Sequence, residues 1–404
     1  ESILFPNGMT VEKFINDILM TVFFFTVGLE IRREMKNGEL SSMKKAMMPV
    51  IAAFGGVVAP ALIFTAVNHG SAAASGWGIP TATDIAFAVG ILSILGDRVP
   101  VSLKVFLTAL AIADDLIAIL VVALFYGGTI NFGLLAIAFV LIALVLLMNK
   151  LGEKRGWFYL VPAIAIWSLF YYAGIHSTMS GVVMAFLVPM TPRFNEAYFH
   201  RKRLQYIRRL NEYNGIASTS SEFPNGPQRH CLRRLSAISR DSIGMSYRLE
   251  HALGPWVNFL IMPIFALANA GVEIPDVSYF NVFQFDQVLG SVSMGIFLGL
   301  VLGKPLGISL ASFIAVKLHV GEMPAKSSWP MLIAVACLGG IGFTMSIFVD
   351  TLSFGDQTPE VMARLRDMGK VAVLMGSLFA GILGSVLINI IHGIESHNKA
   401  AVKA

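Results

Sequence analysis

Apolar runs long enough to cross a bilayer recur along this 404-residue chain from one end to the other. Eleven spans can be read, near residues 12–31, 46–67, 79–96, 101–126, 132–149, 157–173, 178–190, 250–271, 286–315, 329–352 and 368–392. A buried soluble core needs only a few such helices. Only 14% of the residues are charged, against roughly 25% in a soluble domain. The bilayer offers no water to backbone N–H and C=O groups, so helices are the default spanning element. The period-2 alternation of a membrane barrel is absent. The expected fold is therefore an all-α polytopic membrane protein with about 11 spans.

Charge between the spans alternates. Arg32, Arg33, Lys36, Lys44 and Lys45 follow the first span, and "NHGSAAASGWG" then has no Lys or Arg. Arg98 and Lys104 precede the uncharged "YGGTIN", and Lys150, Lys154 and Arg155 precede the uncharged "YAGIHS". "GVEIPDVSYFNVFQFDQ" again has no Lys or Arg. Basic loops stay in the cytoplasm, which puts the carboxyl end inside and Glu1 outside. The loop with Arg364, Arg366 and Lys370 runs against this rule, since the count puts it outside. The chain divides into a first membrane part, 1–192, a basic polar cytoplasmic insertion, 193–248, a second membrane part, 249–392, and a cytoplasmic tail, 393–404. In the insertion, "HRKRLQYIRRL" predicts a short basic amphipathic helix and "NGIASTSSEFPNGPQ" a flexible linker. Such basic residues are expected beside anionic lipid rather than nucleic acid. Cys231 and Cys337 have no disulfide or metal-ligand spacing, and no cofactor is expected.

Charges inside the spans carry the chemistry, because each costs at least about 2.5 kcal/mol to insert. Asp114 and Asp115 lie in the middle of "LTALAIADDLIAILVVALFYG". Adjacent on a helix, they point about 100° apart and can border one cavity while facing different partners. Oxygen ligands suit a small hard cation, and close carboxylates disfavour double ionisation. Together they can exchange a proton for a bound cation. Lys304, in "GLVLGKPLGISL", is a second buried charge that calls for a carboxylate partner, and Pro305 predicts a local kink. "GIPTATDIAFAVG" with Asp84, and "LGGIGFTMSIF" with Gly339, Gly340 and Gly342, each interrupt a span. Each is the second span in a group of three, which points to an inverted-repeat transporter with two broken helices crossing near the midplane. Asp84 could then offset the positive ends of the half-helices and Lys304 the negative ends.

Five stretches in order, "FFFTVGLEIRREMKNGEL", "IPTATDIAFAVGIL", "LTALAIADDLIAIL", "GLVLGKPLGISL" and "GGIGFTMSIF", closely resemble NhaA-type sodium/proton antiporters over about residues 12–190 and 246–392. That family is itself a reference example of the inverted-repeat fold. The resemblance implies a bacterial inner-membrane antiporter, regulated by pH, that expels Na+ or Li+ in exchange for external protons and serves pH and sodium homeostasis. It implies that Asp114 and Asp115 bind the ion and the proton, with Asp115 the main transient Na+ ligand, and that Lys304 pairs with Asp114. Thr83 and Asp84 would belong to the helix crossing. Asp17, in "FINDILM", matches an acid of the transport funnel. Glu30, Arg33 and Glu34 match a cytoplasmic pH-response cluster, together with Glu250 and His251 in "RLEHALGPW". The family has twelve spans, so its first helix is expected to lack a counterpart here. Gly254 stands where some members carry a histidine, and the 193–248 insertion exceeds the family's length. A homodimer is left open.

Other classes fit less well. An intramembrane aspartyl protease also buries two carboxylates, but they come from two helices in a Gly-Asp context. A passive channel has no need of Lys304. A sodium-coupled solute symporter is the alternative function, though no signature of an organic-substrate pocket is present.

Overall fold

The computed structural model describes residues 10–127, 130–192, 194, 196–216, 225–271, 282, 290–325, 327–355 and 357–403. Among these the chain is helical, without a β-strand. In order, the helices are α1 (Val11–Asn37), α2 (Met43–Val67), α3 (Ile85–Leu95), α4 (Val101–Phe125), α5 (Phe132–Lys150), α6 (Trp157–Ala173), α7 (Met179–Leu187), α8 (Glu196–Ile216), α9 (Gly226–Asp241), α10 (Met245–Asn269), α11 (Val292–Lys317), α12 (Trp329–Leu338), α13 (Phe343–Leu352) and α14 (Pro359–Lys403). A tight helical segment, Ala72–Thr81, precedes α3.

Seven of these helices are long and apolar enough to cross a membrane, or up to nine if each bent pair is one span. Their outward faces stay apolar, as at Phe259 (84% exposed) and Ile94 (85% exposed), where lipid rather than water is the fitting neighbour. This is a multi-pass membrane protein. The last two spans read in the first half do not reach full length. α6 has 17 residues and ends at Gly174, whose left-handed backbone (φ 79°) stops the helix. α7 has 9 residues, about 14 Å, well under the ~30 Å of a hydrocarbon core. Its buried carboxyl end is satisfied from α1, where Arg32 donates to the carbonyls of Ala185 (2.9 Å) and Val188.

The two interrupted spans are broken. Ala72–Thr81 and Ile85–Arg98 meet at 41°, and α12 and α13 meet at 50°. At the first break Ala82 and Asp84 are extended, and at the second Gly339, Gly340, Ile341 and Gly342 interrupt the helix. In each half the order is unbroken helix, broken span, unbroken helix.

Close packing holds α11, and with it Lys304, against α2. A Cβ on Gly307 would lie 2.1 Å from the carbonyl oxygen of Gly55, and one on Gly303 would lie 2.9 Å from Pro60 Cα. Small residues let the two backbones approach, the usual means of helix association in lipid. The kink expected at Pro305 takes the form of a wide turn over Gly299–Gly303, where Lys304 N–H reaches the Gly299 carbonyl. An α10 wide turn, Val257–Ile261, likewise precedes Pro263. A proline ring clashes with the carbonyl four residues back, and widening the preceding turn relieves the clash without ending the helix.

The insertion is more ordered than its composition suggests. The basic stretch lies within the 21-residue α8. Residues 217–224 of the expected linker lie outside the described residues, but its end starts a helix. Asn225 accepts from Gln228 N–H, and the Gln228 side chain accepts from Asn225 N–H. This reciprocal cap begins α9 where a flexible linker was expected. Cys231 and Cys337 are both free and buried. The stretch 272–289, read as a loop and the start of a span, lies outside the described residues except Val282. α14 continues through the residues read as a tail.

Candidate ion-binding site

The two breaks touch. Asp84 N–H donates to the Ile341 carbonyl at 2.7 Å, joining the first break to the second through the backbone. Opening both helices leaves unpaired backbone groups in a dry interior, and these need partners. Asp84 supplies several. Its Oδ1 accepts from Phe87 N–H (3.2 Å), capping α3, and its Oδ2 accepts from Thr344 N–H (3.1 Å) and from the Thr344 hydroxyl. One carboxylate therefore sits at the positive ends of two half-helices. Ser377, on α14, completes the α13 end by accepting from Gly342 N–H (3.2 Å) and Phe343 N–H (3.0 Å).

Thr83 serves the opposite polarity. Its hydroxyl lies 2.9 Å from the Gly339 carbonyl, just past the carboxyl end of α12, and 2.6 Å from Asp114 Oδ2. One hydroxyl proton serves either acceptor. The same oxygen accepts from Lys304 Nζ at 2.7 Å. Lys304 also donates to Asp114 Oδ2 in an ion pair whose side chains are both wholly buried. The lysine thus reaches the negative end of α12 through Thr83 rather than directly.

Asp115 differs from its neighbour. It is 2% exposed, and its Oδ1 has no hydrogen-bond partner among the described residues. Asp114 Oδ1 is also unpartnered. The pair therefore presents two bare oxygens, with Asp114 anchored through its other oxygen. Among the described residues no group of three or more His, Cys, Asp or Glu could cage a metal ion. The chemistry on offer is weak, two-carboxylate binding of a hard ion or a proton, suited to release rather than retention.

The remaining sequence candidates gather elsewhere. Asp17 lies in a wide turn of α1 and accepts from Ser177 Oγ at 3.0 Å. Arg33 collects three acids: it pairs with Glu250, with Glu34 at 3.0 Å and with Glu30 at 3.8 Å. His251 makes none of these ion pairs but acts electrostatically on Glu250, and its ring lies 4.1 Å from that of Tyr247. Gly254 faces open space. An apolar crevice of about 540 Å³ between α1, α6, α7 and α10 is lined by residues such as Phe25, Trp157 and Met245. No Asp or Glu is among the residues that line it.

Sequence reasoning passed over Thr344 and Ser377. Hydroxyl residues are common in apolar helices and carry no charge to mark them. Nothing in their sequence positions marked them, although both serve the first turn after the triple-glycine break.

Comparison with known proteins agrees with this geometry. A family model described as Na+/H+ antiporter 1 matches residues 3–388. The chain is 42% identical to the Na(+)/H(+) antiporter NhaA of Syntrophobacter fumaroxidans over 93% of this chain and 78% of the relative. It is 42% identical to that of Pelagibacter ubique, over 94% and 83%. It is 43% identical to that of Acidithiobacillus ferrooxidans, over 93% and 83%. A match of this extent, on a chain whose broken helices meet around buried aspartates, means that the protein belongs to the Na+/H+ antiporter 1 family.

Proposed function

We propose that this chain is a secondary active antiporter of a bacterial inner membrane that moves cytoplasmic Na+ or Li+ outward in exchange for external protons. The family is one of Na+/H+ exchangers, transporters rather than enzymes, and no feature of the site favours the solute symporter. The observation that carries the reading is the contrast between Asp115, buried with a bare oxygen, and Asp114, held by Lys304 and Thr83. A buried carboxylate without a donor is costly unless it holds a proton or a cation. One ligand can replace the other, but leaving the group empty is unfavourable. Binding is therefore competitive, and competition at a single site is what exchange requires.

A cation at Asp115 would also draw on Asp114 Oδ1 and loosen the hold of Lys304. The two breaks supply freedom to move, because neither crossing point is tied into a continuous helical ladder. The repeated order of helix, broken span and helix supports an inverted repeat with a midplane crossing, and the basic loops support a cytoplasmic carboxyl end. Asp17 would line the approach to the site. The cluster of Glu30, Arg33, Glu34 and Glu250, with His251 beside it, would tune the rate to cytoplasmic pH and so serve pH and sodium homeostasis.

The test is Na+-driven proton movement in proteoliposomes. The chain should move protons against a gradient when Na+ or Li+ is supplied, without any organic solute. Asp115→Asn, well expressed and folded, should abolish both proton movement and Na+ uptake. Normal Na+ uptake by that variant would overturn the assignment.

A further inference from the structure

Asp350 is a buried acid with no part in the site just described. It lies on α13, is 0% exposed, and neither carboxylate oxygen has a hydrogen-bond partner among the described residues. Ser346, one turn earlier on the same helix, is likewise fully buried with its hydroxyl unpartnered. Gly342, another turn back, lies in the crossing, where a Cβ would come within 3.1 Å of the Ala82 carbonyl. A spacing of four residues keeps all three near one face of the helix. That face runs about 12 Å from the crossing to Asp350.

No neighbour among the described residues hydrogen-bonds the Asp350 carboxylate. Its carboxylate rests on Gly369 of α14, where an added Cβ would lie 2.1 Å from Oδ1. Arg366, Lys370 and Asp367 act on it from α14, and it acts in turn on Tyr126 at the end of α4. Glu12 on α1 acts on Arg366. Yet Arg366 Nη2 donates to the Ser353 carbonyl (3.2 Å) and Lys370 Nζ to the Gly271 carbonyl (3.3 Å). Arg366 Nε is buried and without an acceptor. An empty carboxylate and an unused guanidinium N–H therefore lie in one buried neighbourhood without pairing. Tyr126 is occupied elsewhere, donating to the Ser75 carbonyl (2.8 Å) and accepting from Gly78 N–H (3.1 Å).

We propose that Asp350 is a proton-binding site separate from the aspartate pair, loaded from the membrane face that carries Arg366 and Lys370 and linked to the crossing by Ser346. A proton from water on that face forms an O–H bond at Asp350 and removes the cost of a bare buried carboxylate. When the proton leaves, the unpartnered Ser346 hydroxyl turns to accept it on oxygen and releases its own hydroxyl proton to water at the crossing, which becomes hydronium. Asp350 regains its negative charge and Ser346 ends unchanged. Arg366 Nε is then the free donor able to hold the emptied carboxylate until the next proton arrives. This rests on the antiport reading and on that face being external.

The experiment uses the full chain oriented in proteoliposomes, with pH stepped on one face at a time, and follows both exchange and the infrared carboxyl C=O band of protonated acids. In the unaltered protein, a pH step on the Arg366 face should change one such band, and Asp350→Asn should lack it. Asp350→Asn should also lower the maximal exchange rate about tenfold or more and flatten its dependence on the pH of that face, with Na+ affinity unchanged. Asp350→Glu should restore both. Ser346→Ala should slow exchange but keep the band, and it stands in if Asp350→Asn does not fold. An unaltered band and pH dependence in Asp350→Asn would overturn the proposal. So would a response only to pH on the opposite face, or an unaltered rate in Ser346→Ala. Asp115→Asn separates this from the antiport reading, because exchange should vanish while the Asp350 band persists.

Discussion

Lys304 and Asp114 pair with neither side chain exposed, and Thr83 stands against both. Taking two charges out of water is expensive, so the pair itself adds little net stability, but losing one partner strands the other. Lys304→Ala should therefore destabilise the protein by about 3–5 kcal/mol, seen as a large fall in thermal unfolding temperature in detergent. Adding Asp114→Ala to it should recover much of the loss. A double variant as unstable as the sum of both single variants would mean that the two residues act independently.

Asp84 supports two half-helices at once, so its removal should be felt at both. Asp84→Ala leaves Phe87 N–H, Thr344 N–H and the Thr344 hydroxyl without their acceptor. Loss of a cap costs about 1 kcal/mol, and a stranded buried donor about 1–3 kcal/mol. Asp84→Asn keeps one amide oxygen and should lose roughly half as much. Hydrogen exchange should show Phe87 and Thr344 amides losing protection together. Protection lost at α3 alone would show that Ser377 suffices for α13.

The sequence disclosed those parts of this arrangement that are costly. Asp114, Asp115 and Lys304 stood out because charge in an apolar run needs a reason, and the structure brings all three to one place. Pro80 and the triple glycine marked the two breaks because they cannot sustain a regular ladder. What could not be read was direction and depth. Nothing in the sequence said that Thr83 would lie between Lys304 and the end of α12, or that Thr344 and Ser377 would face the crossing. Apolar runs also count residues rather than length in the bilayer, so 178–190 looked like a span and folds as a 9-residue helix. The cap at Asn225 was legible from its Asn-Gly-Pro-Gln order, but the polar composition around it drew the reading toward a linker.

Arg33 is shared by Glu250, Glu34 and Glu30, which makes the cluster a single electrostatic unit rather than separate surface pairs. Glu250→Gln removes one charge and keeps the shape. The pH at which exchange is half-maximal should move, while the maximal rate changes less. A lower maximal rate at an unshifted midpoint would mark Glu250 as a packing residue.

The charge moved per cycle should depend on Lys304. Its ammonium is bonded to Asp114 and Thr83, and the other oxygen of the same Asp114 carboxylate is free. A cation arriving at Asp115 and Asp114 competes with that ammonium for the same carboxylate. If the ammonium surrenders a proton as Asp114 turns to the cation, the lysine carries part of the exchanged charge and transport is electrogenic. If Lys304 only steadies the crossing through Thr83, its charge stays constant through the cycle. Lys304→Gln distinguishes these, because glutamine can still donate to Thr83 and Asp114 but cannot take up or release a proton. We expect exchange by this variant to persist at a lower rate and to become electroneutral, measured as Na+ flux no longer driven by an imposed membrane potential. Potential-driven flux retained in Lys304→Gln, together with a lower unfolding temperature, would leave the lysine a structural role only.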